Sequence, residues 1–236
     1  MDLLDDLDIP TTTPEVKKPM SSGKKEKVNM YEMEVIPSKE INTDKFDKIG
    51  HTFMVHVFAG DDNTEEVEER LIKLAGKLKE KKFVYRCDAS ENDIIANKIA
   101  NIEGLKKEVY LPFKKFNIDL ADNATMPNTF ELPHNYAAQI YGPRYNDMKP
   151  GGRSVYASKV MAMLGVDCDN PIDFLLCYSP DGREGFQARE RVDYKLVGTL
   201  SFYIKLAQVA GIPVYNLKNK DSLINFIKTH IQVEES

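Results

Sequence analysis

Five short β-rich apolar runs, each separated from the next by a stretch with helical spacing, occupy the chain beyond about residue 50 and restrict its fold more than any other feature. The first, at 53–59, reads Phe-Met-Val-His-Val-Phe-Ala and stops at Gly60. An acid-rich helix start follows, with Thr64 as the expected cap, and the helix continues to about residue 81. A strand at 83–87, a helix at 92–102 and a strand at 108–111, stopped by Pro112, repeat the step. After a long interruption come a helix at 154–164 ended by Gly165, an almost wholly apolar strand at 172–178 and a helix at 198–210 ended by Gly211. A strand at 212–217 and a helix at 222–231 close the pattern.

Strands that alternate with helices cannot pair as hairpins. They form a parallel sheet through right-handed crossovers, with helices on both faces. The expectation is therefore an α/β, Rossmann-like domain over 50–236, whose ligands sit at the carboxyl ends of the strands. Residues 113–152, with four prolines and a helix expected near 134–141, read as an inserted segment. Segments of this length inside a domain serve as lids or contact surfaces.

Residues 1–49 differ in character. Runs of Pro, Ser, Thr and Lys with few aromatics cannot bury enough apolar surface to offset chain entropy, so a flexible arm is expected. At its tip Leu3, Leu4 and Leu7 fall at helical spacing among acids. That pattern suits either a peptide that docks into a protein partner's groove or a solvated acidic tail. Residues 30–36 alternate apolar and acidic positions, as a strand added to a sheet edge would.

A net charge of -5 and 42% apolar residues describe a chain with a real core and no general basic face, which disfavours nucleic acid as the main partner. Three cysteines without paired zinc spacing, no apolar leader and no membrane-length apolar run lead to the expectation of a cytoplasmic protein with neither metal nor cofactor.

The ordered segments 110–113 with 116–117, 163–167, 171–182, 198–199 and 211–217 together resemble a branch of the SLOG superfamily that is common in tailed-phage genomes. That superfamily includes lysine-decarboxylase-like phosphoribohydrolases and single-strand-DNA-loading proteins. The resemblance implies a phage-encoded nucleotide-type site built on two phosphate turns, because backbone N–H groups at a helix start reach a phosphate only where no side chain intervenes. The turn after the second strand reads Arg86-Cys87-Asp88-Ala89-Ser90-Glu91-Asn92-Asp93 and lacks the family's glycines, so Asp88 and Glu91 bring negative charge to the phosphate position. Asp93 matches the family's closing acid, or else serves as an ordinary acid at a helix start.

The second turn keeps Gly198 and Thr199, with Lys195 nearby as a counter-charge. Its other reading is a tight strand-to-helix turn capped by Thr199. Where the phosphoribohydrolases carry a glutamate this chain has Phe202, and their Arg-Lys pair corresponds to Ser158-Lys159. Phe202 can neither stabilise an oxocarbenium-like charge nor activate water, so that reaction is not expected. The candidate ligand-binding residues are thus Gly60, Asp93, Lys159, Lys195, Gly198 and Thr199, and the candidate partner-binding residues are Leu3, Leu4 and Leu7.

The remaining features carry weaker expectations. His56 reads as a core or cleft histidine, and Cys87 as a structural thiol. Arg183, Arg189 and Arg191 are the loop cations best placed for a phosphate. The leading expectation is a non-catalytic module for a nucleotide-type ligand or for protein interaction, with a second copy of the chain as a further possible partner. Two alternatives stand beside it. One is a nucleotide-processing hydrolase with a displaced site at Glu91, Asp93 or Asp181. The other is a single-strand DNA handler using Lys106, Lys107, Phe113, Lys114, Lys115 and Phe116.

Overall fold

The computed structural model describes residues 51–60, 62–88, 94–122, 124–127, 130–187 and 193–232. Leu3, Leu4, Leu7, the 30–36 segment, Glu91, Asp93, Arg189 and Arg191 lie outside the described residues. The strands are β1 (Thr52–Val57), β2 (Val84–Cys87), β3 (Lys107–Val109), β4 (Phe174–Tyr178) and β5 (Val214–Asn216). The helices are α1 (Glu65–Glu80), α2 (Ile94–Ala100), α3 (Glu131–Tyr141), α4 (Pro150–Leu164), α5 (Tyr194–Val197), α6 (Leu200–Ala210) and α7 (Lys220–Phe226), the last continued by a π turn over Ile227–Ile231.

All four strand pairings are parallel, and the order is β3-β2-β1-β4-β5. The chain therefore builds outward from β1 in one direction, then returns to the other side of β1 to lay down β4. The crevice between the carboxyl ends of β1 and β4 is the topological switch point, where folds of this type place their ligands.

Period-two alternation along the strands divides the interior into two cores. Phe53, Val55, Phe174 and Leu176 face α1, α2 and α7, whereas Met54, Leu175 and Cys177 face α3, α4 and α6. On α1 the buried residues Leu71, Leu74, Ala75 and Leu78 recur at helical spacing and form one apolar stripe. By contrast α4 buries every residue from 157 to 164, because it packs against the sheet as well as α3 and α6. The sheet with helices on both faces is the expected α/β architecture. Among the described residues no helix is long and apolar enough to cross a membrane.

Several local expectations change. Thr64 holds the cap position of α1 without capping through its side chain; its hydroxyl donates instead to Glu68 at 3.2 Å. Pro150 opens α4, where a residue without an N–H costs nothing, so the helix takes residues 150–152 out of the inserted segment. The turn at 198–199 joins two helices, α5 and α6, and is not a strand-to-helix turn. Gly211 ends α6 as expected: its φ of +70° lets the Ile212 N–H reach back to the Ala207 carbonyl at 2.8 Å.

Candidate functional site

At the switch point β1 and β4 stay paired one residue beyond the strands, through the Phe58 N–H and the Tyr178 carbonyl at 2.9 Å. The chain then turns at Gly60 (φ +56°), where a Cβ would come within 3.2 Å of both the Lys195 carbonyl and Pro180. This packing sets the β1 exit against α5 and brings Gly60 and Lys195 together. Gly198 (φ +45°) closes the same wall, and the Phe58 ring lies directly on it: a Cβ there would sit 2.0 Å from Phe58 Cε2. The missing side chain therefore admits an aromatic ring from within the chain, in the kind of space a phosphate would use.

The start of α6 is also engaged internally. Ser201 N–H donates to the Gly198 carbonyl and Phe202 N–H to the Thr199 carbonyl, both at 3.2 Å, and the Ser201 hydroxyl adds a 2.7 Å bond to Gly198. Two N–H groups that an anion at this helix start would recruit thus already have acceptors. Thr199 is helical (φ -66°, ψ -21°) and makes no side-chain cap, so the expected Thr cap is not formed. Its hydroxyl lies 3.3 Å from His56 Nε2.

His56 leads into a buried polar cluster beneath the crevice. Its ring packs on Tyr203, with centroids 4.5 Å apart. The Tyr203 hydroxyl accepts from Lys159 Nζ at 2.5 Å and donates to Asp88 at 2.5 Å, while Lys159 and Asp88 form an ion pair at 3.5 Å. Each of the four is at most 6% exposed. Burial, with the Lys159 charge added, pushes the His56 pKa down to about 3, so the ring is neutral at physiological pH. Asp88, just beyond the end of β2, thus has a defined role: its carboxylate is the counter-ion of Lys159. The one described lysine expected to face a phosphate from α4 is paired inside the protein.

The structure brings together Gly60, Lys159, Lys195, Gly198 and Thr199 of the candidate ligand-binding residues, and Asp93 lies outside the described residues. Other candidates have structural partners. Arg183 pairs with Asp181 at 2.8 Å, and Asp181 also accepts from the Ser179 hydroxyl at 2.7 Å. Ser158 donates to the Val155 carbonyl at 2.9 Å, and Phe202 is wedged edge-on between Tyr156 and Tyr203. Cys87, Cys168 and Cys177 are all buried; burial, aided by Asp167 and Asp169, pushes the Cys168 thiol up to about 12. Of the proposed DNA stripe, Phe113 and Phe116 meet edge to face at 5.1 Å, and Lys107 donates to the Ala100 carbonyl at 2.9 Å.

Reading the sequence missed Phe58, Tyr203 and the pairing of Asp88 with Lys159. One signal was present: Tyr203 follows Thr199 by one helical turn and shares its face, so a phenol was due beneath the Gly198 turn. Comparison of the chain with protein-family models, with curated proteins and with solved structures finds no match.

Proposed function

We propose that this chain is a non-catalytic interaction module: a Rossmann-like, SLOG-type domain whose ancestral nucleotide crevice is filled by its own side chains, and whose N-terminal arm engages a protein partner. The observation that carries this reading is the double occupation of the switch point. Phe58 covers Gly198, and Asp88 neutralises Lys159 where a ligand's phosphate would do so. A nucleotide would have to displace the ring and separate a buried ion pair. Breaking such a pair costs about 3–5 kcal/mol, which alone weakens binding by at least a hundredfold.

The reading also fits the loss of catalytic chemistry. By the resemblance, Phe202 and Ser158 stand where the phosphoribohydrolases carry an acid and an arginine, and Tyr203, a phenol between a cation and a carboxylate, is 1% exposed. What the domain retains is a rigid two-core body suited to present an arm. Leu3, Leu4 and Leu7, spaced for one helical face among acids, are the residues assigned to the partner's groove.

The ligand half is tested by thermal unfolding of the full chain with millimolar AMP, ADP-ribose and a cyclic nucleotide. No stabilisation is expected from any of them. A saturable stabilisation that disappears in Lys195→Ala or Gly198→Ala would overturn the reading.

A further inference from the structure

Beside the first turn of α4 lies a cavity of about 390 Å³, lined by His134, Asn135, Tyr145, Asn146, Arg153 and Ser154 among others. We propose that this cavity binds a small phosphate monoester, with Arg153 as the group that recognises it. Its size falls in the lower part of the range of small-ligand sites, roughly 300–1,000 Å³. It is separate from the crevice at Gly198 and does not depend on that crevice being filled.

Charge is the first argument. Arg153 is half-buried, yet its guanidinium makes no hydrogen bond or ion pair with any described residue. A partly desolvated guanidinium without an acceptor is an incomplete arrangement, since its five donors form a fork that matches two oxygens of a phosphate or carboxylate. The described cavity lining contains no carboxylate, and the acids nearest in the chain, Glu131 and Asp147, are exposed residues outside that lining. Asn135, Asn146 and Ser154 offer further donors from α3, from the turn before α4 and from α4 itself.

Topology is the second argument. In a parallel sheet, a helix that follows one strand and precedes the next starts on the side where strands end. The start of α4 therefore opens on the ligand side of this sheet, about 9 Å along the helix from Lys159. Gly151 lies in that turn with nothing within 4 Å of where its side chain would be, so an anion can approach the backbone closely there, whereas Gly152 packs against the Met148 side chain at 3.7 Å.

Tyr145 and His134 line the same cavity as Arg153. The Tyr145 hydroxyl lies 3.2 Å from the Arg153 carbonyl and 2.8 Å from His134 Nδ1. Burial holds the His134 pKa below its ordinary value, and the Arg153 charge lowers it further, against a backbone contact to Pro127 that raises it. A dianion on Arg153 cancels the second of these effects. Bound phosphate therefore raises the His134 pKa, and by linkage a protonated His134 favours the bound anion.

The test titrates inorganic phosphate into the full chain at constant ionic strength set with chloride, following thermal unfolding and the His134 ring resonance by NMR. The expected result is a saturable stabilisation in the millimolar range, with His134 titrating at higher pH in phosphate than in chloride. Arg153→Gln is expected to abolish both effects, and Arg153→Lys to weaken both while keeping the fold. A wild-type response no larger than that to chloride, or an equal phosphate response in Arg153→Gln, overturns the proposal.

Discussion

The ring of Phe58 rests on the backbone of Gly198 so closely that a methyl group on Gly198 would stand 2.0 Å from Phe58 Cε2. The glycine makes room for a neighbouring side chain, and the positive φ of +45° gives a second reason for glycine. The contact fixes the β1 exit against the start of α6, the two segments that would have to part to admit a ligand.

Substituting Gly198→Ala is accordingly expected to destabilise the fold by about 2–4 kcal/mol, through the clash and the left-handed backbone. Phe58→Ala opens a gap at a half-buried site and costs less. In the double variant the steric part of the alanine penalty disappears, so the two effects combine to less than their sum. Urea unfolding of the three variants measures the coupling, and strict additivity would show that the ring and the glycine are independent.

The Lys159–Asp88 pair sets a second expectation. Lys159→Met leaves Asp88 as an unpaired charge with, among the described residues, the Tyr203 hydroxyl as its hydrogen-bond donor, and a loss of about 3 kcal/mol is expected. Adding Asp88→Asn removes that charge and restores part of the loss. A double variant less stable than Lys159→Met, measured by the same unfolding experiment, would contradict a role for Asp88 as counter-ion.

His56 predicts a pH dependence whose sign follows from its depressed pKa. The unfolded ring takes up a proton near 6.5, whereas the folded ring does so only near 3. Between these values the unfolded state binds more protons, so stability is complete above about 6.5 and declines as pH falls toward 3. The full effect is of the order of 5 kcal/mol. Denaturation at pH 7 and pH 4.5 is expected to show a smaller decline for His56→Gln than for the wild type, and equal declines would remove His56 from the account.

The arm carries its own expectation. The two described cores are assembled from residues between 53 and 231, so deleting residues 1–29 is expected to leave the melting temperature nearly unchanged. Binding to the proposed partner is expected to be lost, and the same loss is expected of a chain carrying Leu3→Asp and Leu7→Asp. A large drop in melting temperature would show that the arm packs on the domain.

Much of the fold was legible because periodicity is local. The alternation from residue 53 onward predicted five strands, their order in the chain and a parallel sheet, with errors of up to four residues at element ends. Pro150 fell in the inserted segment and the helix was expected only from 154, although the first helical position tolerates proline. The site was less legible because its contacts are between residues distant in sequence. Asp88 read as repulsive toward a phosphate, and only the fold brings Lys159 and Tyr203 to it from α4 and α6. Gly198 read as a phosphate turn or a tight turn; no local pattern announces that a ring from β1's exit will cover it.

The most direct measurement follows the backbone amides of Gly60, Gly198 and Thr199 by two-dimensional NMR while AMP and then ADP-ribose are added to the full chain at up to about 5 mM, in the range of the weakest specific binding. A crevice filled by Phe58 and closed below by Lys159 and Asp88 predicts that these three resonances stay in place. Saturable shifts concentrated on Gly198 and Thr199 would show that a nucleotide still enters and would contradict the account.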